Sequence, residues 1–456
     1  MASKQPEKFP TLPERVEAFL ASLADGTSVL DTYIEGFVVR FGIFYEHQLP
    51  KPWKDGDEEK LLNDAVDQVV LADELGIDNV WAVEHHFLEE YSHSSAPEVF
   101  LAACAARTKR IRIGHGIKHT PANYNHPARV AEEVSTLDLL SRGRVEFGIG
   151  EGATRMELGG FDIPAKEKRA MSIEAGEQIA NMMTMTPYPG YDGESFSFPC
   201  RNVVPKPSQK PHPPMWIACT NRSTIELAAR LGIGALAFTF VDPTEAAQWV
   251  KTYYDIIKSD ECVPLGHTVN ANIALVTGFS LHDDRAEAIR RGREGFEFFQ
   301  YAISAMVTKD SVPGRTDLWS LFQEKRGADA TETFVAKAMA RGDDYSSAIG
   351  TPADASRYIR ELEAVGVDQL IFIQQAGRNS HEDICDAMEL FAAQVMPEFK
   401  QGEDARVAAK EAELAPYIEA ALARKQWMPP IADEDIPMIP AAVKKAQVPG
   451  AKRSSI

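Results

Sequence analysis

Three times in the first third of the chain, a short strand-like run ends in a cluster of polar residues. Val80-Trp81-Ala82-Val83 gives way to Glu84-His85-His86, Ile111-Arg112-Ile113-Gly114 to His115-Gly116 and His119, and Val145 to Gly150 to Glu151-Gly152. Short apolar runs of this kind read as buried strands, and the segments between them carry apolar residues at helical spacing. Strand, polar loop and helix in repetition are the grammar of a parallel sheet whose carboxyl-end loops build a site.

The same unit continues along the chain. Strands are expected at Phe37 to Phe44, Val80 to Val83, Ile111 to Gly114, Val145 to Gly150, Met215 to Ala218, Gly234 to Phe238, Val269 to Gly278 and Gln369 to Ile373. Helices are expected over Leu61 to Leu75, from Ala96-Pro97 to Thr108, from His126-Pro127 to Leu140 and from Pro164 to Met183. Others follow Asp242-Pro243, span Asp283 to Met306, begin at Thr351-Pro352 and cover Asp383 to Val395. Proline at a first helical position supports several of these starts, because its missing donor is not needed there. Eight such strands over about 400 residues favour a closed (β/α)8 barrel, with an open doubly wound sheet as the alternative.

The expected organisation is an N-terminal extension over 1–34, a barrel over 35–399 with insertions near 187–214 and 309–350, and a C-terminal tail over 400–456. Gly159-Gly160 reads as a glycine-rich surface loop. In the tail, Glu403 to Lys425 reads as helices broken near Pro416, and the proline-rich stretch from Trp427 to Pro449 has little periodicity. Such a tail wraps a neighbour, covers the barrel or stays partly disordered.

A formal charge of -19 argues against a nucleic-acid or anionic-membrane partner, since the acidic field repels polyanions. No run has the length of a membrane-spanning helix and no secretory apolar segment opens the chain, so the cytoplasm is the expected location. The five cysteines are dispersed and odd in number, which points to reduced core thiols. No metal site is expected: adjacent His85 and His86 on an extended strand point to opposite faces. Gly148-Ile149-Gly150-Glu151-Gly152 lacks the full dinucleotide fingerprint. Thr220-Asn221-Arg222-Ser223-Thr224, between the fifth strand and a helix, can hold a phosphate on free backbone donors or serve as an ordinary helix cap.

Taken in order, several of these pieces resemble the bacterial luciferase-like family of flavin-dependent monooxygenases. They are Glu84-His85-His86-Phe87, the loop after the third strand, His126-Pro127 with Ala131-Glu132 and Leu137-Asp138, and Ser141-Arg142-Gly143-Arg144 leading to Gly148-Ile149-Gly150. Met215 to Thr224, Thr351-Pro352 and Gly366-Val367-Asp368 complete the set. The resemblance spans about Glu35 to Val395. It implies a luciferase-like TIM barrel that takes reduced FMN from a separate flavin reductase, activates molecular oxygen and oxygenates a mainly apolar small organic substrate. It also implies a homodimer and an insertion after strand seven that forms an active-site segment.

Residue by residue, the resemblance makes His85 the catalytic histidine, able to hydrogen-bond or move a proton near working pH, with Glu84 and His86 in support. His115, Gly116 and Ile117 match the loop that approaches the flavin ring, where a cis Gly116–Ile117 peptide is expected. Thr220, Asn221 and Thr224 match positions around the FMN phosphate. Gly150 and Glu151 depart from the light-emitting members, which carry a cysteine and an arginine there, so light emission is not expected. Arg155 or Arg222 would then supply the missing positive charge. A deazaflavin-dependent oxidoreductase and a nonenzymatic flavin-binding or interaction protein are the competing readings.

Overall fold

Eight strands close into a parallel barrel: β1 (Arg40–Tyr45), β2 (Asn79–Ala82), β3 (Arg112–His119), β4 (Val145–Gly150), β5 (Met215–Cys219), β6 (Gly234–Ala237), β7 (Ile273–Thr277) and β8 (Gln369–Gln374). Each pairs with the next, and β8 returns to β1 in a register running from Arg40 opposite Gln369 to Tyr45 opposite Gln374. Closure of this ring excludes the open doubly wound alternative. Structure is described for residues 39–238, 240, 242–328 and 347–440 of the computed structural model. The expected extension over 1–34, residues 329–346 of the second insertion and residues 441–456 of the tail lie outside the described residues.

Most expected elements are present, with four informative differences. First, β3 continues to His119, so the expected loop at His115 to Ile117 is strand, with a shift of register between His115 and Lys118. The Gly116–Ile117 peptide within it is cis. Second, β7 stops at Thr277, and the following Gly278 packs so close to the Phe296 ring that a Cβ there would lie 2.7 Å from it. Phe279–Leu281 instead pairs with Ala348–Gly350 in a separate two-stranded sheet.

Third, the expected surface loop around Gly159 is a short helix, Arg155–Gly160, capped by the Thr154 side chain on the Glu157 N–H at 3.2 Å. Fourth, Glu403–Arg424 is one helix that runs through Pro416 without a break. Its inner face holds it there: Leu414 and Ala421 are buried, Lys410 reaches Asp368 at 2.5 Å, and Lys258 reaches Glu413 at 2.5 Å. Asp368 directly precedes β8, so this helix covers the amino-terminal end of the barrel. The amino-terminal end being closed, chemistry belongs at the other end, where barrel loops carry sites.

The lumen is packed solid below that other end. Trp81 and Trp216 meet edge to face with ring centroids 5.3 Å apart, and Trp216 Nε1 donates to Glu146 at 2.7 Å. Gly114 and Gly234 make room for them, since a Cβ at either would lie 2.3 or 2.2 Å from an indole ring. One turn higher, a Cβ at Gly150 would fall 2.2 Å from Ile117 Cδ1 and 2.4 Å from its Cγ1. The bulk of Ile117 on β3 is therefore matched by the absence of a side chain on β4. Gly150→Ala is expected to force Ile117 off its rotamer and to destabilise the fold by about 1–3 kcal/mol. Denaturant titration of the variant checks this, and Ile117→Ala in the same chain should recover part of the loss.

Candidate active site

The carboxyl ends of β1 to β4 deliver a cluster of acids and imidazoles. Strand β2 ends at Ala82, and the chain then turns with Phe87 and Glu89 in the left-handed region. His85 and His86 are therefore not on opposite faces of a strand, as the extended pattern suggested. Both rings come within 6.0 Å of the His119 ring at the end of β3.

His85 is held from two sides. Its Nδ1 lies 2.8 Å from Glu157 Oε1, and its Nε2 lies 3.7 Å from Glu46 Oε2. Glu157 sits at the start of the short helix after β4, where Oε2 accepts from the Thr154 hydroxyl at 2.8 Å and Oε1 accepts the His86 N–H at 3.2 Å. Glu46 follows β1 directly and accepts from the Tyr91 hydroxyl at 2.7 Å. Burial opposes a charge on His85, but the two facing carboxylates outweigh it and raise its pKa to about 9. For Glu157 burial likewise works upward, and the facing His85 carries the balance the other way, holding the carboxyl well below its ordinary range.

Glu84 serves the second imidazole and the strand beside it. It takes His86 Nε2 at 3.0 Å, Asn125 Nδ2 at 2.9 Å and the His119 N–H at 2.7 Å. Burial alone would raise its pKa, yet the His86 hydrogen bond and the Lys118 charge bring it down to about 2. Burial keeps His119 neutral, at about 4. His115 is different again. Its ring lies on the helix side of β3 against Phe147, buried, and burial lowers its pKa to about 3. At β3 it is Gly116 and Ile117 that face the lumen, beside Phe44 and Trp81.

Two triads, Glu84 with His86 and His119, and His85 with His119 and Glu157, hold ligand atoms within 4.8 Å of one another. Their carboxylate oxygens are already committed to imidazole, amide, hydroxyl and backbone donors. The arrangement is a proton-bearing network of hydrogen bonds, suited to acid–base work.

The expected phosphate turn is a capping box. Asn221 accepts from the Thr224 N–H at 3.2 Å, while Thr224 Oγ1 accepts the Thr220 and Asn221 N–H groups at 3.1 and 3.3 Å. This leaves the next donors of the helix Arg222–Arg230 as the means of holding an anion. Neither expected arginine is brought in: Arg155 is exposed at the start of its helix, and Arg222 points along its own helix to Glu226 at 3.5 Å. Arg169 lies on the helix that follows that of Arg155. It pairs with Glu151 at 3.0 Å, and its charge bears on the thiol of Cys219, which burial pushes up to about 12.

Beside the imidazoles a shallow open cleft runs between Phe87, Leu88, Met156, Met306 and Leu318. Its far wall is tied to the site, since the buried Glu90 carboxylate accepts the Leu318 and Trp319 N–H groups at 2.5 and 3.1 Å. Glu46, Tyr91, Glu157 and Arg169 were not anticipated from the sequence, whereas His119 was part of the polar cluster read at the end of the third strand. For Glu46 the signal was present, a polar trio Glu46-His47-Gln48 directly after an apolar strand. For Glu157 it was the Thr154-x-x-Glu157 spacing of a capping box.

Comparison with known proteins bears on this geometry. The profile of the luciferase-like monooxygenases matches residues 39–369. The alkanal monooxygenase alpha chain of Photorhabdus laumondii is 26% identical over 73% of this chain and 90% of its own length. The oxygenase component of the flavin-dependent trigonelline monooxygenase of Acinetobacter baylyi is 24% identical over 75% and 91%. Among solved structures, the monooxygenase RslO1 from Streptomyces bottropensis superposes with a TM-score of 0.65 at 25% identity, covering 79% of this chain and all of that one. The coenzyme F420-dependent tetrahydromethanopterin reductase of Methanopyrus kandleri shares the fold, with a TM-score of 0.56 at 21% identity over 80% of this chain and 100% of its own. With a profile match from β1 to the first residue of β8 and monooxygenase relatives aligned over most of their own length, the chain belongs to the luciferase-like monooxygenase family of enzymes.

Proposed function

We propose that this chain is the oxygenase of a two-component flavin monooxygenase. It would take reduced FMN from a separate flavin reductase, use molecular oxygen, and act on a mainly apolar small organic substrate as a cytoplasmic homodimer. The observation that carries this reading is the clamp on His85, a partly exposed imidazole between two acids at the carboxyl end of a barrel whose floor is apolar. When bound, reduced FMN supplies the electrons that activate oxygen.

The residues present suit that group. Phe238, partly exposed and packed on the buried Phe44 ring with centroids 5.1 Å apart, offers flat apolar surface. Arg169 and the first donors of the helix after β5 offer positive potential to a phosphate. His85 would hold and deliver a proton at Nε2 while Glu157 fixes the ring through Nδ1. Glu84 would fix His86 and the end of β3 from below. The cleft of thioether and aromatic side chains would take an apolar substrate and exclude water from the reacting centre.

One variant tests the phosphate assignment. Arg169→Ala is expected to weaken reduced FMN binding about fivefold to tenfold, because a single charged contact on a half-exposed side chain is lost. Riboflavin, which lacks the phosphate, should bind both proteins alike in anaerobic fluorescence titrations.

The reading as a whole is tested by anaerobic titration with reduced FMN, followed by rapid mixing with oxygen while the flavin spectrum is recorded. A protein-dependent transient before reoxidation supports it. Binding without a transient transfers weight to a flavin carrier. The shared fold of the F420-dependent reductase motivates one further arm: reduced F420 binding with no FMN binding would identify a deazaflavin oxidoreductase in its place.

A further inference from the structure

His85 has two nitrogens and two acids, and the two acids are not equivalent. Glu157 is fully engaged, with imidazole, backbone and hydroxyl donors sharing its oxygens. Glu46 is engaged on one side only. Its Oε1 accepts from Tyr91, while its buried Oε2 has no hydrogen-bond partner and faces His85 Nε2 at 3.7 Å. A buried carboxylate oxygen without a donor is costly, and protonation of Glu46 or closure of the short gap to the imidazole N–H relieves it.

We propose that Glu46 is a positioning residue for His85, facing its Nε2 across this short gap and replacing the proton there once His85 has given it up. This rests on the reading of His85 as the group that handles protons in the site. The transfer balances simply. His85 passes its Nε2 proton to an acceptor in the site and becomes neutral; the proton on Glu46 Oε2 moves to Nε2, restoring the imidazolium; Glu46 is left as a carboxylate, stabilised by the Tyr91 hydroxyl on Oε1.

The groups facing this pair come from every surrounding element. They are Glu84 and His86 after β2, Tyr91 and the Ser92 hydroxyl in the turn that follows, His119 at the end of β3, and Glu157 after β4. Burial raises Glu46 to about 7, against the pull of His85 and Tyr91, so the carboxyl exchanges its proton in the range where an enzyme of neutral conditions works.

The test uses the full-length protein without flavin, with nitrogen-15 labelled histidines, and follows each imidazole by NMR through a pH titration. Glu46→Gln is expected to lower the His85 midpoint by at least about one pH unit, a tenfold loss of proton affinity, and to leave the neutral His115 and His119 unmoved. Glu46→Asp, which keeps the acid but draws it back from the ring, should lower the same midpoint by less, and it serves if the glutamine variant does not fold. An unmoved His85 midpoint in whichever folded variant is measured overturns the proposal. A shifted midpoint combined with an unchanged pH dependence of reduced FMN oxidation in Glu46→Gln upholds the link between Glu46 and His85 and overturns the functional reading of His85 instead.

Discussion

His85→Ala is expected to cut flavin-dependent substrate oxidation by about 10²–10⁴-fold, the range lost when a positioned acid or base is removed, with reduced FMN binding changed little. The asymmetry follows from the surroundings of the ring. Its two nitrogens spend their contacts on Glu157 and Glu46, both buried, so its removal takes away a proton and little apolar surface. The pH dependence carries the same signature. With a pKa raised to about 9, His85 remains an imidazolium across the neutral range. Its ion pair with Glu157 stabilises the fold fully below the ordinary imidazole value near 6.5 and loses that contribution as pH rises through about 9. Activity that depends on the imidazolium should fall along the same alkaline limb. Glu157→Gln should move that limb toward neutrality, since the facing carboxylate is what lifts the pKa. Stopped-flow oxidation of reduced FMN across pH 6–10 measures both effects; unchanged rates in His85→Ala would remove the residue from the mechanism.

The fold was legible because it is written locally. Most barrel strands are runs of apolar residues broken by a polar end, and most helix starts carry a proline or a capping side chain that can be read without knowing its neighbours. His85 was legible for the same reason, together with the family resemblance of Glu84-His85-His86-Phe87. The partners of His85 were not. Glu157 is separated from it by 72 residues and Glu46 by 39 positions in the chain, and only closure of the ring brings the ends of β1, β2 and β4 together. The direction of His115 was misleading for a related reason: read as a loop residue it is free to approach a cofactor, whereas in the longer β3 alternation turns its ring outward, leaving Gly116 to face the lumen. Arg155 and Arg222 are near in sequence to the positions read as in need of positive charge, yet Arg155 is exposed and Arg222 lies along Glu226, while Arg169, one helix further on, pairs with Glu151.

Lys410→Ala is expected to cost about 3 kcal/mol of stability, because it removes one partner of a mostly buried ion pair and leaves the other without its cation. Asp368 is the partner left behind. Its Oδ2 accepts from the Tyr254 hydroxyl at 2.6 Å and the Ile273 N–H at 2.8 Å, and its Oδ1 takes the Lys410 ammonium at 2.5 Å. The ammonium also reaches Asn272 Oδ1 at 2.7 Å, so a single side chain from the C-terminal helix ties together residues beside β7 and β8. A lysine side chain that is one-quarter exposed places the loss at the lower end of what broken buried pairs cost. Asp368→Asn in the same chain should recover part of it, since the uncompensated charge is then gone; the recovery, read from denaturant midpoints of the two single variants and the double, isolates the pair. Because the pair closes the amino-terminal end of the barrel and His85 works at the carboxyl end, the turnover of folded Lys410→Ala should match the parent. A loss of activity at full folding would mean that the C-terminal helix governs the site as well as the stability of the ring.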